Sequence, residues 1–135
     1  MTTSLAELHA KAVEARKNSH SPYSKHKVGA ALRTSDGLVF SGCNIENASY
    51  GGTVCGERVA IWKAVSEKGS LQIQDLVVVT DQDVAWPPCG FCRQVISEFA
   101  NDSTRVHLAN IHGIQRSLKF GDLFPDAFQS SHLKV

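Results

Sequence analysis

Two features that would announce a nucleic-acid or membrane partner are missing from this chain: an excess of charge of one sign, and a long apolar run. Fourteen basic residues against thirteen acidic ones leave a net charge of +1. The Lys and Arg residues are scattered, with no stripe that would follow a phosphate backbone. No stretch approaches the roughly 18 consecutive apolar residues of a membrane span. Met1 to Arg16 is polar and helix-patterned, so no secretory signal is expected and the expected location is the cytoplasm. Cysteine is scarce, at four residues; in a reducing compartment these are ligands, nucleophiles or core residues before they are disulfides. No internal repeat, low-complexity tract or linker is visible. What is present, 135 residues of which 42% are hydrophobic, suits one domain over residues 1–135 with a core of its own.

The pattern of turns and apolar positions predicts an α/β fold. Ser4 caps a first helix with Glu7 three residues on, and that helix runs to about Asn18. Val28 to Leu32 reads as a buried strand, Ser35-Asp36-Gly37 as a hairpin turn and Leu38 to Cys43 as the antiparallel return. Thr53 is the expected cap of a second helix, which ends at Lys68 before Gly69, with Val59, Ile61, Trp62 and Val65 available for its buried side. Leu76 to Thr80 is a β-branched run suited to a central strand covered on both faces. Pro87-Pro88 starts a third helix that continues to about Phe99. Arg105 to Ala109 and Arg116 to Phe120 supply a fourth and a fifth strand, with a short helix near Asp122. The expectation is a three-layer α/β/α fold around a mixed five-stranded sheet.

The stretch Trp86-Pro87-Pro88-Cys89-Gly90-Phe91-Cys92-Arg93 poses the functional question. A Cys-x-x-Cys that opens a helix is either a redox dithiol or half of a metal site. The redox reading leaves too little chain after Cys92 for a thioredoxin-like fold, and it has no use for Cys55, which stands at the start of the second helix. Three thiolates can converge between the two helix starts, where free N–H groups and the positive ends of the macrodipoles favour a negative cluster. Arg58 and Arg93 are placed to hydrogen-bond the sulfurs. Such a site leaves zinc one protein ligand short, as catalytic zinc sites are. A structural site would draw its fourth ligand from Cys43, which otherwise reads as a small buried hydrophobe. Glu57, two residues past Cys55, can move protons beside the metal without binding it. That arrangement, followed by Pro-Cys-x-x-Cys, is the general signature of zinc deaminases.

Beyond these residues the sequence resembles the small homotetrameric cytidine deaminases. The likeness extends to Ser21-Pro22-Tyr23-Ser24-Lys25, Val28-Gly29-Ala30-Ala31-Leu32 and Gly42-Cys43-Asn44-Ile45-Glu46-Asn47-Ala48-Ser49-Tyr50, and covers roughly residues 5 to 128. The resemblance implies one zinc per subunit on Cys55, Cys89 and Cys92, with Glu57 as the proton shuttle. It implies Arg58, Arg93 and Gln94 around the metal ligands. Asn44 and Glu46 match the pair that binds the ribose 3′-hydroxyl, although both could instead simply order the loop after the strand. Ala48 and Tyr50 match positions that reach a neighbouring subunit's sugar, and Phe128 an aromatic that covers the base from an adjoining chain. The implied reaction is hydrolytic deamination of cytidine and 2′-deoxycytidine to uridine and 2′-deoxyuridine, with release of ammonia. The rivals are a deaminase of a nucleoside-like antibiotic such as blasticidin S and a non-enzymatic structural zinc module.

Three departures stand out. His26 occupies a place where the family usually has phenylalanine against the base, and it is there either for base contact or for ordinary packing. Gly56 replaces the usual alanine, and Gly51-Gly52 replaces larger residues. Together they predict extra room around the base and a widened tolerance for cytidines with substituted amino groups.

Overall fold

The computed structural model describes residues 2–133. Helix α1 (Leu5–Arg16) is capped as expected, the Ser4 hydroxyl accepting from the Glu7 amide at 3.1 Å. Strands β1 (Gly29–Thr34) and β2 (Val39–Cys43) form the hairpin, turned at Gly37 with φ +89°. They are followed by α2 (Gly56–Lys68), β3 (Ile73–Thr80), α3 (Gly90–Glu98), β4 (Arg105–Asn110), β5 (Gly113–Lys119), and the short helices α4 (Phe120–Leu123) and α5 (Ser130–Leu133). The sheet order is β2-β1-β3-β4-β5, with β3 central; β3 and β4 are parallel and the other pairs antiparallel. This is the expected mixed five-stranded sheet between helical layers.

Alternation along the strands divides the core. Leu8 and Ala12 of α1 pack on Ala31, Val77, Val79 and Ala109. On the other face Ala60, Ile61 and Ala64 of α2 and Cys92 and Ile96 of α3 meet Ala30, Leu32, Val78 and Leu108. Two glycines seat the helices closely on the sheet. A Cβ on Gly29 would run into the Ala12 carbonyl, and one on Gly42 would lie 2.6 Å from the Ala60 amide and 2.9 Å from the Gly56 carbonyl.

Several element boundaries differ from expectation. Helix α2 is capped by Cys55 and not by Thr53. Val54 is held extended by paired backbone bonds to Ile45, at 2.9 and 3.0 Å, and the Thr53 hydroxyl accepts from the Asn47 amide, so the chain turns helical only after Cys55. Trp62 is half exposed; small Ala60 and Ala64 take the sheet-facing positions that close packing requires. Strand β5 starts earlier because the Asn110 side chain accepts from the His112 and Gly113 amides and makes a tight hairpin with β4. Phe120 then opens α4 and does not close the strand. Among the described residues no helix is long and apolar enough to cross a membrane.

Candidate metal centre and cavity

Cys55 and Cys89 are both helix N-caps, and Cys92 lies one turn into α3. The three sulfurs lie within 4.8 Å of one another, with Cys55 Sγ 3.8 Å from Cys89 Sγ. Tetrahedral thiolates about 2.3 Å from zinc stand about 3.8 Å apart, so the donor set fits that ion in both chemistry and spacing. Among the described residues this is the one such grouping of metal-ligating side chains, and Cys43 is outside it. Cys43 is partly buried, and that burial raises its thiol pKa. The four-cysteine structural site is therefore not formed.

The surroundings favour ionisation of one of the three sulfurs, that of Cys55. The Cys92 amide donates to Cys89 Sγ at 3.4 Å, and Arg58 Nη2 donates to Cys55 Sγ at 3.5 Å. Hydrogen bonding from Cys92, then from Arg58 and Cys89, overcomes burial and brings Cys55 down to about 5. Cys92, donating to Cys55 and buried, is pushed up in return. Arg93 does not join this network. Its Nε donates to the Pro88 carbonyl at 2.8 Å and its Nη1 to the Leu123 carbonyl at 2.6 Å, because α3 turns that side chain toward α4 and away from the sulfurs. Gln94 donates to the Phe128 carbonyl at 2.9 Å and so pins the tail.

A cavity of about 270 Å³ opens beside the thiols, bordered by the loop leading into β1, the segment after β2, the end of β3 and the two helix starts. Glu57 lines it and is 3% exposed. Burial, then the negative charge of Cys55, raises its carboxyl to about 7, where it exchanges a proton readily near neutrality. Val28, Val78, Trp86 and Pro87 make apolar walls of a size to hold a flat ring. His26 is also in the wall, its ring edge-on to Trp86 at 5.0 Å and its Nδ1 3.5 Å from Asp81 Oδ1. Thr80, which the sequence reading did not single out, borders the cavity with a buried hydroxyl that has no partner among the described residues. Its place at the end of the central strand was the available signal.

Asn44 and Glu46 border the same cavity, and both also order the preceding loop. Asn44 Oδ1 accepts from the Val28 amide at 2.9 Å while its Nδ2 donates to the His26 carbonyl at 2.8 Å. Glu46 accepts from the Tyr23 and Ser24 amides and from the Ser24 hydroxyl, which keeps its carboxyl below the usual range. Ala48 and Tyr50 are exposed, away from their own cavity, with Tyr50 edge-on to Tyr23 at 5.8 Å. Phe128 is also exposed and stacks on His132.

The glycines do not supply the expected room. A Cβ on Gly56 would make close contacts with Cys43 Cα and the Val28 carbonyl, each at 3.3 Å, and one on Gly52 would face Asn47. Neither residue, nor Gly51, lines the cavity.

Comparison with known proteins agrees with this geometry. Residues 2–108 match the family model described as the cytidine and deoxycytidylate deaminase zinc-binding region. The chain is 45% identical over 127 residues to the cytidine deaminase of Sporosarcina psychrophila, covering 94% of this chain and 93% of that protein. It is 44% identical over 122 residues to the cytidine deaminase of Halalkalibacterium halodurans, covering 90% and 92%. The crystal structure of cytidine deaminase from Burkholderia pseudomallei superposes with a TM-score of 0.84 at 43% identity, over 93% of this chain and 99% of that one. With its three-thiol centre and the fold that assembles it, the chain belongs to the cytidine deaminase family of zinc-binding hydrolases.

Proposed function

We propose that this protein hydrolyses cytidine and 2′-deoxycytidine to uridine and 2′-deoxyuridine, releasing ammonia, as a step of pyrimidine salvage. The observation that carries the reading is a buried carboxyl, Glu57, in the same cavity as Cys55 and Cys89, two of the three convergent thiols. Cys55, Cys89 and Cys92 would hold zinc, which when bound would supply a water of lowered pKa as the nucleophile. Glu57 takes a proton from that water and delivers it to N3 of the pyrimidine as C4 is attacked. It then carries the proton of the new C4 hydroxyl to the 4-amino group, which leaves as ammonia as the C4 carbonyl forms. Val28, Trp86 and His26 hold the base between them. Asn44 and Glu46, already fixed by the 19–28 loop, offer an amide and a carboxylate to the ribose 3′-hydroxyl; the carboxylate has lone pairs beyond those that Ser24 and Tyr23 use.

The substrate site is completed in a homotetramer, with Ala48, Tyr50 and Phe128 each serving a neighbouring copy's cavity. The 76% exposure of Tyr50 and 54% exposure of Phe128 support this, since neither aromatic has a place in its own core. The four unpaired cysteines suit the cytoplasm.

The test is ultraviolet-monitored turnover of cytidine and deoxycytidine by zinc-loaded protein, beside Glu57→Gln and with blasticidin S as the alternative substrate. The expected result is activity on both nucleosides, with loss of about 10³-fold or more in the variant while its zinc is retained. A wild-type protein that holds zinc but acts only on blasticidin S would overturn the substrate assignment.

A further inference from the structure

We infer that Phe91 is a positioning residue for the thiol centre, its ring clamping the Arg58 guanidinium against Cys55 and so tying the start of α3 to the start of α2. Phe91 fills a spacer position between Cys89 and Cys92. It is 62% exposed and has no part in the core, yet its ring centroid lies 4.0 Å from Arg58 Cζ. Trp62, one turn further along α2 and itself half exposed, lies 5.9 Å from the same carbon. Beneath these rings Arg58 is only 8% exposed, and its Nε is buried without a partner among the described residues. Among the described residues no carboxylate forms a salt bridge with it. The charge of this arginine is therefore met by the Cys55 sulfur at 3.5 Å and by an aromatic face.

The arrangement has a physical purpose at a zinc site, and the inference rests on the zinc reading of the three thiols. Three thiolates on a dication leave one net negative charge, and a nearby cation offsets it more strongly where water is kept away. The negative face of an aromatic ring attracts a guanidinium while excluding water from it. Without that face, solvent reaches the guanidinium, its long side chain regains rotamers that point outward, and the hydrogen bond to Cys55 weakens. A leucine would restore bulk but no ring face, and a tyrosine would restore both.

The experiment uses full-length zinc-loaded protein and the variants Phe91→Leu, Phe91→Tyr and Trp62→Leu. Release of zinc to an excess of chelating dye is timed, and the sulfur-to-metal charge-transfer band is recorded after cobalt(II) substitution. Circular dichroism and light scattering report fold and assembly. Phe91→Leu is expected to release zinc about tenfold faster, the effect of losing one desolvated cation–π contact, while Trp62→Leu stays within about threefold. The cobalt band of Phe91→Leu should move to longer wavelength as Cys55 loses its donor, with Phe91→Tyr behaving as wild type in both measurements. Equal behaviour of the leucine and tyrosine variants would overturn the inference, leaving only bulk at this position. So would faster release that appears only with loss of fold or assembly. A wild-type protein that takes up no zinc would overturn the metal reading itself, a result that zinc content reports separately.

Discussion

Cys55 Sγ and Cys89 Sγ lie 3.8 Å apart although 34 residues separate them in the chain. Each caps a helix, so each sits where a backbone has left its strand or loop and turned, and each has unpaired N–H groups behind it. The separation therefore depends on how α2 and α3 are seated on one face of the sheet. The close approach at Gly42 controls the first of these helices.

Gly42→Ala tests that dependence. The added methyl would meet the Ala60 amide and the Gly56 carbonyl, both of them backbone groups of α2, so the helix must shift. Expected are a loss of about 2 kcal/mol of stability, as for overpacking in a core, and faster zinc release. Urea denaturation and chelator challenge measure the two. Unchanged release with lowered stability would show that the thiol centre does not depend on this contact.

Arg93→Ala separates the two arginines that the sequence placed near the sulfurs. Among the described residues, Arg93 bonds only the Pro88 and Leu123 carbonyls. Its loss should cost about 1–2 kcal/mol and loosen residues 124–133, seen as faster amide exchange there, while one zinc per chain is retained. Zinc loss comparable to that of Arg58→Ala would contradict this assignment.

Acid stability has a source on the opposite face of the sheet. Burial pushes the Asp75 carboxyl up, but hydrogen bonds from His107 and Arg33, together with the Arg33 charge, more than reverse it and hold it below its usual range. A lowered folded-state pKa stabilises the fold above the unfolded value of about 3.9, and that stabilisation is lost as pH falls through the folded value. Asp75→Asn should thus cost about 3 kcal/mol near neutrality, as when a buried pair loses one partner, and the gap from wild type should narrow below about pH 4. Thermal unfolding of both proteins over a pH series measures this; zinc contributes to both and cancels in the difference. A gap independent of pH would place the stabilisation elsewhere.

Much of this was legible in the chain itself. Cys55-Gly56-Glu57-Arg58 and Pro88-Cys89-Gly90-Phe91-Cys92 carry their own chemistry, because ligand type, helix-start placement and an adjacent carboxyl are local properties. The strand pattern followed likewise from alternation and from the β-branched run at 76–80. Tertiary structure decided what depends on partners distant in sequence. The Ile45–Val54 bridge moved the α2 cap from Thr53 to Cys55, and the close seating of α2 turned Trp62 outward. Packing against the end of β2 and the residue before β1 set Gly56 against Cys43 and Val28 and left it out of the cavity lining. The ring of Phe91, an unremarked spacer in the motif, found its partner 4.0 Å away on another helix. Side-chain type and local backbone preference are written residue by residue, whereas direction and proximity arise only when separate elements pack.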